Sequence, residues 1–404
     1  MLLPLYALRL GGGAFYVGVM ASTAAFAGVP GAVLWGRLAS RSGRRRPFVL
    51  LALVATAAVL LVSTLLRSPA ALVVANAALW FAVSAAAPVL NLVVVEGVEQ
   101  AAWDARIARL NTLQGYGWLA GLVVCTGWTL VAPWVGYTSV AAQRTLLTGL
   151  GLLGVLATTV FVRFYPDVSS VRDQRFLRGY RSIGQSDLGA GRFVRAVPYG
   201  PSRIYWALRT LRGGPLSNRF GRPLLGYLLG TAVFHAGFSV FWGPMPAHLT
   251  DLGFGNGTVF LCFLGSTVGA TLFYDPVGWL VEHFAPATLQ YSALVTRAVL
   301  FVGTAFLATQ LLVGSAFAAV GVTWAVIAVT TTGIVARLAP QHLRGEALGL
   351  VAALAGLGGG IGNAVGGALA AATNPITTFG LAAAVVLIGT SIAVNAVRPS
   401  RVRP

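Results

Sequence analysis

Two ionisable side chains lie far from any polar stretch, and chemistry would start with them. His235 stands in FHAGFSVFWGPMP and Arg297 in LVTRAVLFVG, each near the middle of a long apolar run. Charged or titratable groups at such depth are costly and often functional. Imidazole is the side chain that loads and unloads a proton close to neutral pH, so His235 is the candidate for proton coupling. No Asp or Glu lies at comparable depth. Arg297 keeps its charge, and a structural pairing with Asp275 or a backbone carbonyl is expected for it. Neither residue sits in a Ser/His/Asp, metal-ligand or nucleotide-loop arrangement. The GxGxxG-like glycines near the C-terminus lack a preceding strand. An enzyme is therefore not expected, nor a cofactor or metal. Cys125 and Cys262 fall inside apolar runs and read as packing residues, not a disulfide.

The elements that must position these groups follow from composition. The chain has 404 residues, 57% hydrophobic and 9% charged, against about 25% charged in soluble domains. Apolar runs of about 18 residues or more recur along it, the mark of a polytopic membrane protein. In hydrocarbon each segment must satisfy its own backbone, so the spans are helices. The alternating pattern of a membrane barrel is absent. A net charge of +18 raises the question of nucleic acid. The placement excludes it. Every basic residue is Arg, and twelve of them stand between Arg163 and Arg222 against Asp167, Asp173 and Asp187, which is half the net charge. Most of the rest lies at 36–46, at Arg337 and Arg344, and in the tail at Arg398, Arg401 and Arg403. These are alternate loops on one side of the membrane, as the positive-inside rule requires.

In chain order, residues 1–10 are apolar but too short to cross a bilayer, and Gly11, Gly12 and Gly13 end the run. Spans are expected near 15–35, 47–66, 70–95, 113–132 and 145–164. Trp134 and Tyr137 belong at the outer interface. The polar, Arg-rich segment 165–222 divides the chain. Within it, 202–211 has the pattern of a helix lying on an anionic inner leaflet, or of a disordered linker. Six further spans follow near 224–249, 259–274, 287–308, 311–337, 346–372 and 375–397. The expected units are a bundle at 1–164, a central loop at 165–222, a second bundle at 223–397 and a tail at 398–404.

The most specific motif is GRLASRSGRRR, Gly36 to Arg46, with five arginines in eleven residues. Gly36, Leu38, Ala39, Arg41, Gly43, Arg44 and Arg45 resemble the loop signature of the major facilitator superfamily, with Ser40 where that family usually has Asp. Gly278-x-Leu280 resembles a degenerate second copy, near Asp275. The resemblance implies an all-α membrane fold of two pseudo-symmetric six-span bundles related by an axis along the membrane normal. The second half starts about 55 residues before Gly278, the first only 35 before Gly36. The expectation is thus eleven complete spans plus an N-terminal stub, with the N-terminus outside and the C-terminus cytoplasmic. The shortfall is read as a start assigned too far downstream, or as a shortened protein.

The same resemblance assigns roles. The Gly36 loop would latch the cytoplasmic side through Arg41, Arg44 and Arg45, leaning on Glu96, Asp104 or Glu346 because Ser40 cannot make the contact of an Asp. Small residues every fourth position let helices approach in lipid. Such ladders occur at Ala24, Gly28, Ala32 and Gly36, at Gly117 and Gly121, at Gly265 and Gly269, and at Gly358, Gly362 and Gly366. The resemblance places these four helices at the interface between the halves. Side chains on its cavity-lining spans are Asn91, Gln114, Tyr116, Trp118, Phe238, Trp242, Trp324 and Asn363, with His235. Rings with a few amides suit a neutral or weakly polar organic solute. The drug-antiporter signature Gly-Pro-x-x-Gly-Gly is absent, since Gly115 to Gly121 reads GYGWLAG. The expected function is secondary transport of a small organic solute by a monomer in the plasma membrane, in contact with anionic lipid and without nucleic acid. The alternatives are a non-transporting membrane sensor and a proton-coupled drug antiporter.

Overall fold

The computed structural model describes residues 2–42, 46–95, 103–165, 220–340 and 344–397, and no strand occurs among them. The first half holds α1 (Leu2–Arg9), α2 (Ala14–Ser42), α3 (Arg46–Ser63), α4 (Pro69–Val95), α5 (Trp103–Val131) and α6 (Ser139–Phe164). The second holds α7 (Arg222–Trp242), α8 (Met245–Asp251), α9 (Asn256–His283), α10 (Pro286–Thr304), α11 (Gln310–Leu338), α12 (Arg344–Ala372) and α13 (Pro375–Val397). Among the described residues, eight segments are long and apolar enough to cross a membrane, α7 and α8 counting together as 222–251. Shorter apolar helical stretches lie at 14–28 and 69–84.

Several boundaries differ from the sequence reading. Gly36 to Ser42 are the last two turns of α2, so the basic motif begins as helix and not as loop. Gly278 lies inside α9, which runs past Pro276 to His283. The expected span at 224–249 is broken in two at Gly243 and Pro244, because proline has no N–H for the carbonyl one turn back. Residues 166–219, and with them the expected amphipathic helix at 202–211, lie outside the described residues.

The internal repeat is explicit in the backbone. In one turn Gly12 N donates to Ala7 O at 2.9 Å and Gly11 N to Leu8 O at 3.1 Å. In the other, Phe254 N donates to Leu249 O at 3.0 Å and Gly253 N to Thr250 O at 2.9 Å. Gly11 and Gly253 occupy matching positions with φ of +87° and +81°, where a Cβ would be strained. The shift that carries Gly11 onto Gly253 also carries Ala14 onto Asn256 and Gly36 onto Gly278. Thus α1 is the counterpart of α8, and α2 of α9.

Each half is tied by close backbone approach and by paired polar groups. In the second half, α7 lies against α12 and α13. A Cβ at Gly230 would meet the Ala393 backbone, and one at Gly389 the Phe234 backbone. Tyr227 Oη donates to Gln290 Oε1 at 3.0 Å, while Gln290 Nε2 donates to Thr331 Oγ1 at 2.7 Å. This buried network joins α7, α10 and α11. In the first half, Asn76 Nδ2 donates to Met20 O at 2.7 Å and Trp35 Nε1 to Phe81 O at 3.1 Å, joining α2 and α4. Arg46 donates to Val162 O at 2.7 Å at the C-terminal end of α6, where a cation meets the negative end of the helix dipole. Tyr6 Oη accepts from Arg144 and donates to Leu66 O, so α1 is built into this half.

Candidate functional site

Two half-exposed polar side chains of the second half stand on α7. His235 and Ser239 stand one turn apart and are both partly exposed. His235 Nδ1 lies 2.9 Å from the Thr231 carbonyl. A carbonyl only accepts, so Nδ1 carries the proton and the neutral ring keeps its Nε2 lone pair. The His235 ring sits edge-on to Trp324 at 6.0 Å and tilted against Phe238 at 5.3 Å. Trp324 is itself held by a side-chain hydrogen bond with Tyr274 of α9.

Behind this surface Arg297 is buried at 2% exposure. It donates to Val320 O and Thr323 Oγ1, both at 3.0 Å; a backbone carbonyl is one of the two partners expected from the sequence, and the side chain of the other, Asp275, lies outside the described residues. Its guanidinium lies 4.3 Å from the Phe238 ring centroid and within 6 Å of Phe301 and Trp324. Cation–π attraction and two charge-assisted hydrogen bonds offset its desolvation. The result is a rigid joint between α10 and α11 that fixes the rings under His235.

Two turns further along α7 the helix breaks, and Asn363 of α12 meets the break. A Cβ at Gly243 would stand 3.1 Å from Asn363 Oδ1. On its other side Asn363 abuts α2, its carbonyl oxygen lying 2.6 Å from a Cβ placed at Gly18. Discontinuous helices of this kind expose backbone polar groups at the junction of two halves.

Of the residues singled out by sequence, His235, Phe238 and Trp324 come together. Asn363 meets α7 two turns further on, at Gly243. Trp242 turns away and packs on Phe263 and Phe317 at 5.2 and 5.3 Å. Gln114, Tyr116 and Trp118 are exposed on α5, Tyr116 and Trp118 both at 65%, and touch none of the others. The side chains of Asn91, Leu38, Ser40, Arg41 and Asp275, and residues Gly43, Arg44 and Arg45, lie outside the described residues. So do Glu96 and the side chains of Asp104 and Glu346.

The ladder glycines need correction. Gly358, Gly362 and Gly366 face Ala232, Ala236 and Val240 of α7, within the same half. Gly269 faces Ala318 of α11, and Gly265 approaches Gly314. Gly28, Gly117 and Gly121 meet nothing within 4 Å. The helices that cross between halves are still α2 with α12 and α5 with α9, but other residues make the contact. Gly18 meets Gly367, Phe26 meets Gly360, and Leu130 meets Gly257. Ser22 Oγ donates to Gly360 O at 2.8 Å. The interface side of α12 carries glycines seven apart, at 360 and 367, while the longer i+4 series serves α7.

The reading of sequence also missed Arg9, Asn256, Ser22 and Ser239. Arg9 Nε donates to Asn256 Oδ1 at 3.0 Å, and an Arg9 terminal nitrogen stands 3.5 Å from Phe254 O. Partial burial draws the Arg9 pKa below the usual arginine value, yet the group stays charged at any physiological pH. Its signal in the sequence is the repeat: Arg9 and Asn256 flank the two matching glycine turns.

The comparisons agree with this architecture. A sequence profile described as Major Facilitator Superfamily matches residues 227–404. A crystal structure of a point mutant of the nucleoside transporter NupG superposes with a TM-score of 0.69 at 12% identity, covering 98% of this chain and 94% of that one. A second crystal structure of NupG gives 0.66 at 11% identity, covering 99% and 97%. At such identity the likeness is one of fold. No curated protein matches in sequence.

Proposed function

We propose, from a second half that belongs to the Major Facilitator Superfamily and a whole chain with the fold of solved transporters, that this multi-pass membrane protein is a secondary transporter. It moves a small organic solute by alternating access. Eleven helices or helix pairs span the membrane, with α1 at the outer face and the tail in the cytoplasm, as the arginine distribution requires. The solute lies between the halves, against His235, Ser239, Trp324 and Asn363. Rings with few hydrogen-bonding groups suit a neutral or weakly polar molecule with a flat face. The central segment rests its arginines on anionic lipid.

The observation that carries this reading is the distribution of contacts between the halves. Contacts between the halves among the described residues include Arg9 with Asn256, Leu130 with Gly257, Gly18 with Gly367, and Ser22 and Phe26 with Gly360. All lie towards the end of the bundles that holds the two glycine turns. At the opposite end of α5, residues 113–120 are exposed wherever their side chains are described. Among the described residues the halves meet at that end and α5 is exposed at the other, which supports a rocking mechanism in its inward-open state. The test is solute flux into proteoliposomes, with and without a proton gradient. The panel should include nucleosides, since the solved neighbours carry them, alongside neutral aromatic solutes. Saturable uptake that falls in His235→Gln or Trp324→Ala supports the site. Binding without flux supports a sensor instead.

A further inference from the structure

We propose that Arg9 and the turn before α9 form the outer gate of this transporter, a contact made in the inward-open state and broken when the outer side opens. Arg9 ends α1, a helix tied to the first half by Tyr6, which bonds Arg144 and Leu66, while Leu5 on its other side packs in the core of the second half. Leu3, Tyr6 and Ala7 are buried beside Met20, Leu72 and Leu147. The Arg9 guanidinium leaves the first half and reaches two acceptors of the other, Asn256 Oδ1 and Phe254 O. Asn256 is 7% exposed, and its Oδ1 accepts from Arg9. It opens α9 without capping it, because Gly255 is the N-cap residue and provides no side-chain bond.

The contact is made once, and it lies across the line between the bundles. The repeat places Ala14 where the second half has Asn256, and Asp251 where the first has Arg9. Ala14 has no polar side chain to bond, and Asp251 is exposed, so the reciprocal contact is not made. This one crosses between the bundles once. Leu130 seats against Gly257 one residue further along α9, where a Cβ would come within 2.7 Å of the leucine Cγ. A charged latch thus sits beside an apolar plug on the same turn of α9.

The inference rests on the two-half reading above, but its test needs no solute. Spin labels are placed at Ser68→Cys and Thr309→Cys, exposed residues of the two halves at the outer end. Cys125 and Cys262 are replaced by Ala, and the full chain is reconstituted in lipid nanodiscs. Pulsed dipolar spectroscopy then gives the ratio of long to short outer distances. Arg9→Ala and Asn256→Ala are each expected to raise the long-distance population about tenfold, the scale of one lost hydrogen bond to a charged group. The double variant is expected to add little to either single. Should Arg9→Ala fail to fold, Asn256→Ala, which leaves α1 untouched, carries the test. An unchanged distance ratio in Asn256→Ala, or fully additive effects, overturns the gate. A protein that opens as expected but moves no solute overturns the transport reading alone.

Discussion

Gly367→Ala separates interface from bundle packing. A Cβ at Gly367 would stand 2.6 Å from Gly18 Cα, 3.0 Å from the Ala14 carbonyl oxygen and 3.1 Å from Gly18 N. All three are backbone atoms of α2, so no rotamer change relieves the overlap. Carbon–carbon contact is comfortable at about 3.5–4.0 Å, so the helices must part by roughly 1 Å. Inserting one methyl into a close-packed contact costs about 1–3 kcal/mol. If α2 and α12 meet this closely only in the state with the outer end closed, the whole cost biases that state. The outer-open population then rises about 5- to 150-fold, read with the Ser68/Thr309 label pair. Gly362→Ala is the comparison. Its Cβ would strike the Ala236 carbonyl of α7, inside one half, so it should lower thermal stability while leaving the distance ratio alone. Gly28→Ala and Gly117→Ala meet nothing and should change neither. A Gly367→Ala protein with an unaltered ratio, or a Gly362→Ala protein that shifts it equally, would refute the assignment of these faces.

Further outcomes follow from the buried polar groups. Gln290→Leu strands the Tyr227 hydroxyl and Thr331 in the second bundle and should cost about 1–3 kcal/mol in chemical or thermal unfolding. Arg297→Met removes two charge-assisted bonds between α10 and α11 and should cost about 2 kcal/mol or more, with affinity for solute falling as Trp324 loosens. Gln143 is fully buried in α6 with neither amide atom paired, so Gln143→Met should leave stability unchanged or raise it by about 1 kcal/mol.

Much of this architecture was legible before any coordinates. Apolar runs and their arginine-rich breaks gave the helices, because hydrocarbon admits few other structures. The match of Gly36 with Gly278 gave the repeat, and the glycine turns at 11 and 253 extend it. His235 stood out because a titratable group in an apolar run is costly. What escaped was the choice of face. Helix α12 carries glycine at 358, 359, 360, 362, 366 and 367, and spacing alone cannot say which row meets which neighbour. The longest row serves α7, while Gly360 and Gly367 serve α2. Trp242 was a similar case. It shares α7 with His235 two turns on, yet it packs on Phe263 and Phe317, because spacing along one helix does not say which neighbour a residue meets. Arg9 escaped because α1 is too short to span, so its role appears only once the second half is packed against it.

The central claim is that these halves carry a solute between them. A solute is first identified by its binding to the purified full chain, lost in His235→Gln or Trp324→Ala. Its movement into proteoliposomes is then followed over time. The account predicts saturable accumulation above protein-free vesicles, accelerated or slowed by Gly367→Ala in step with the outer-distance ratio. A solute that binds at this site yet never enters the vesicles would contradict it.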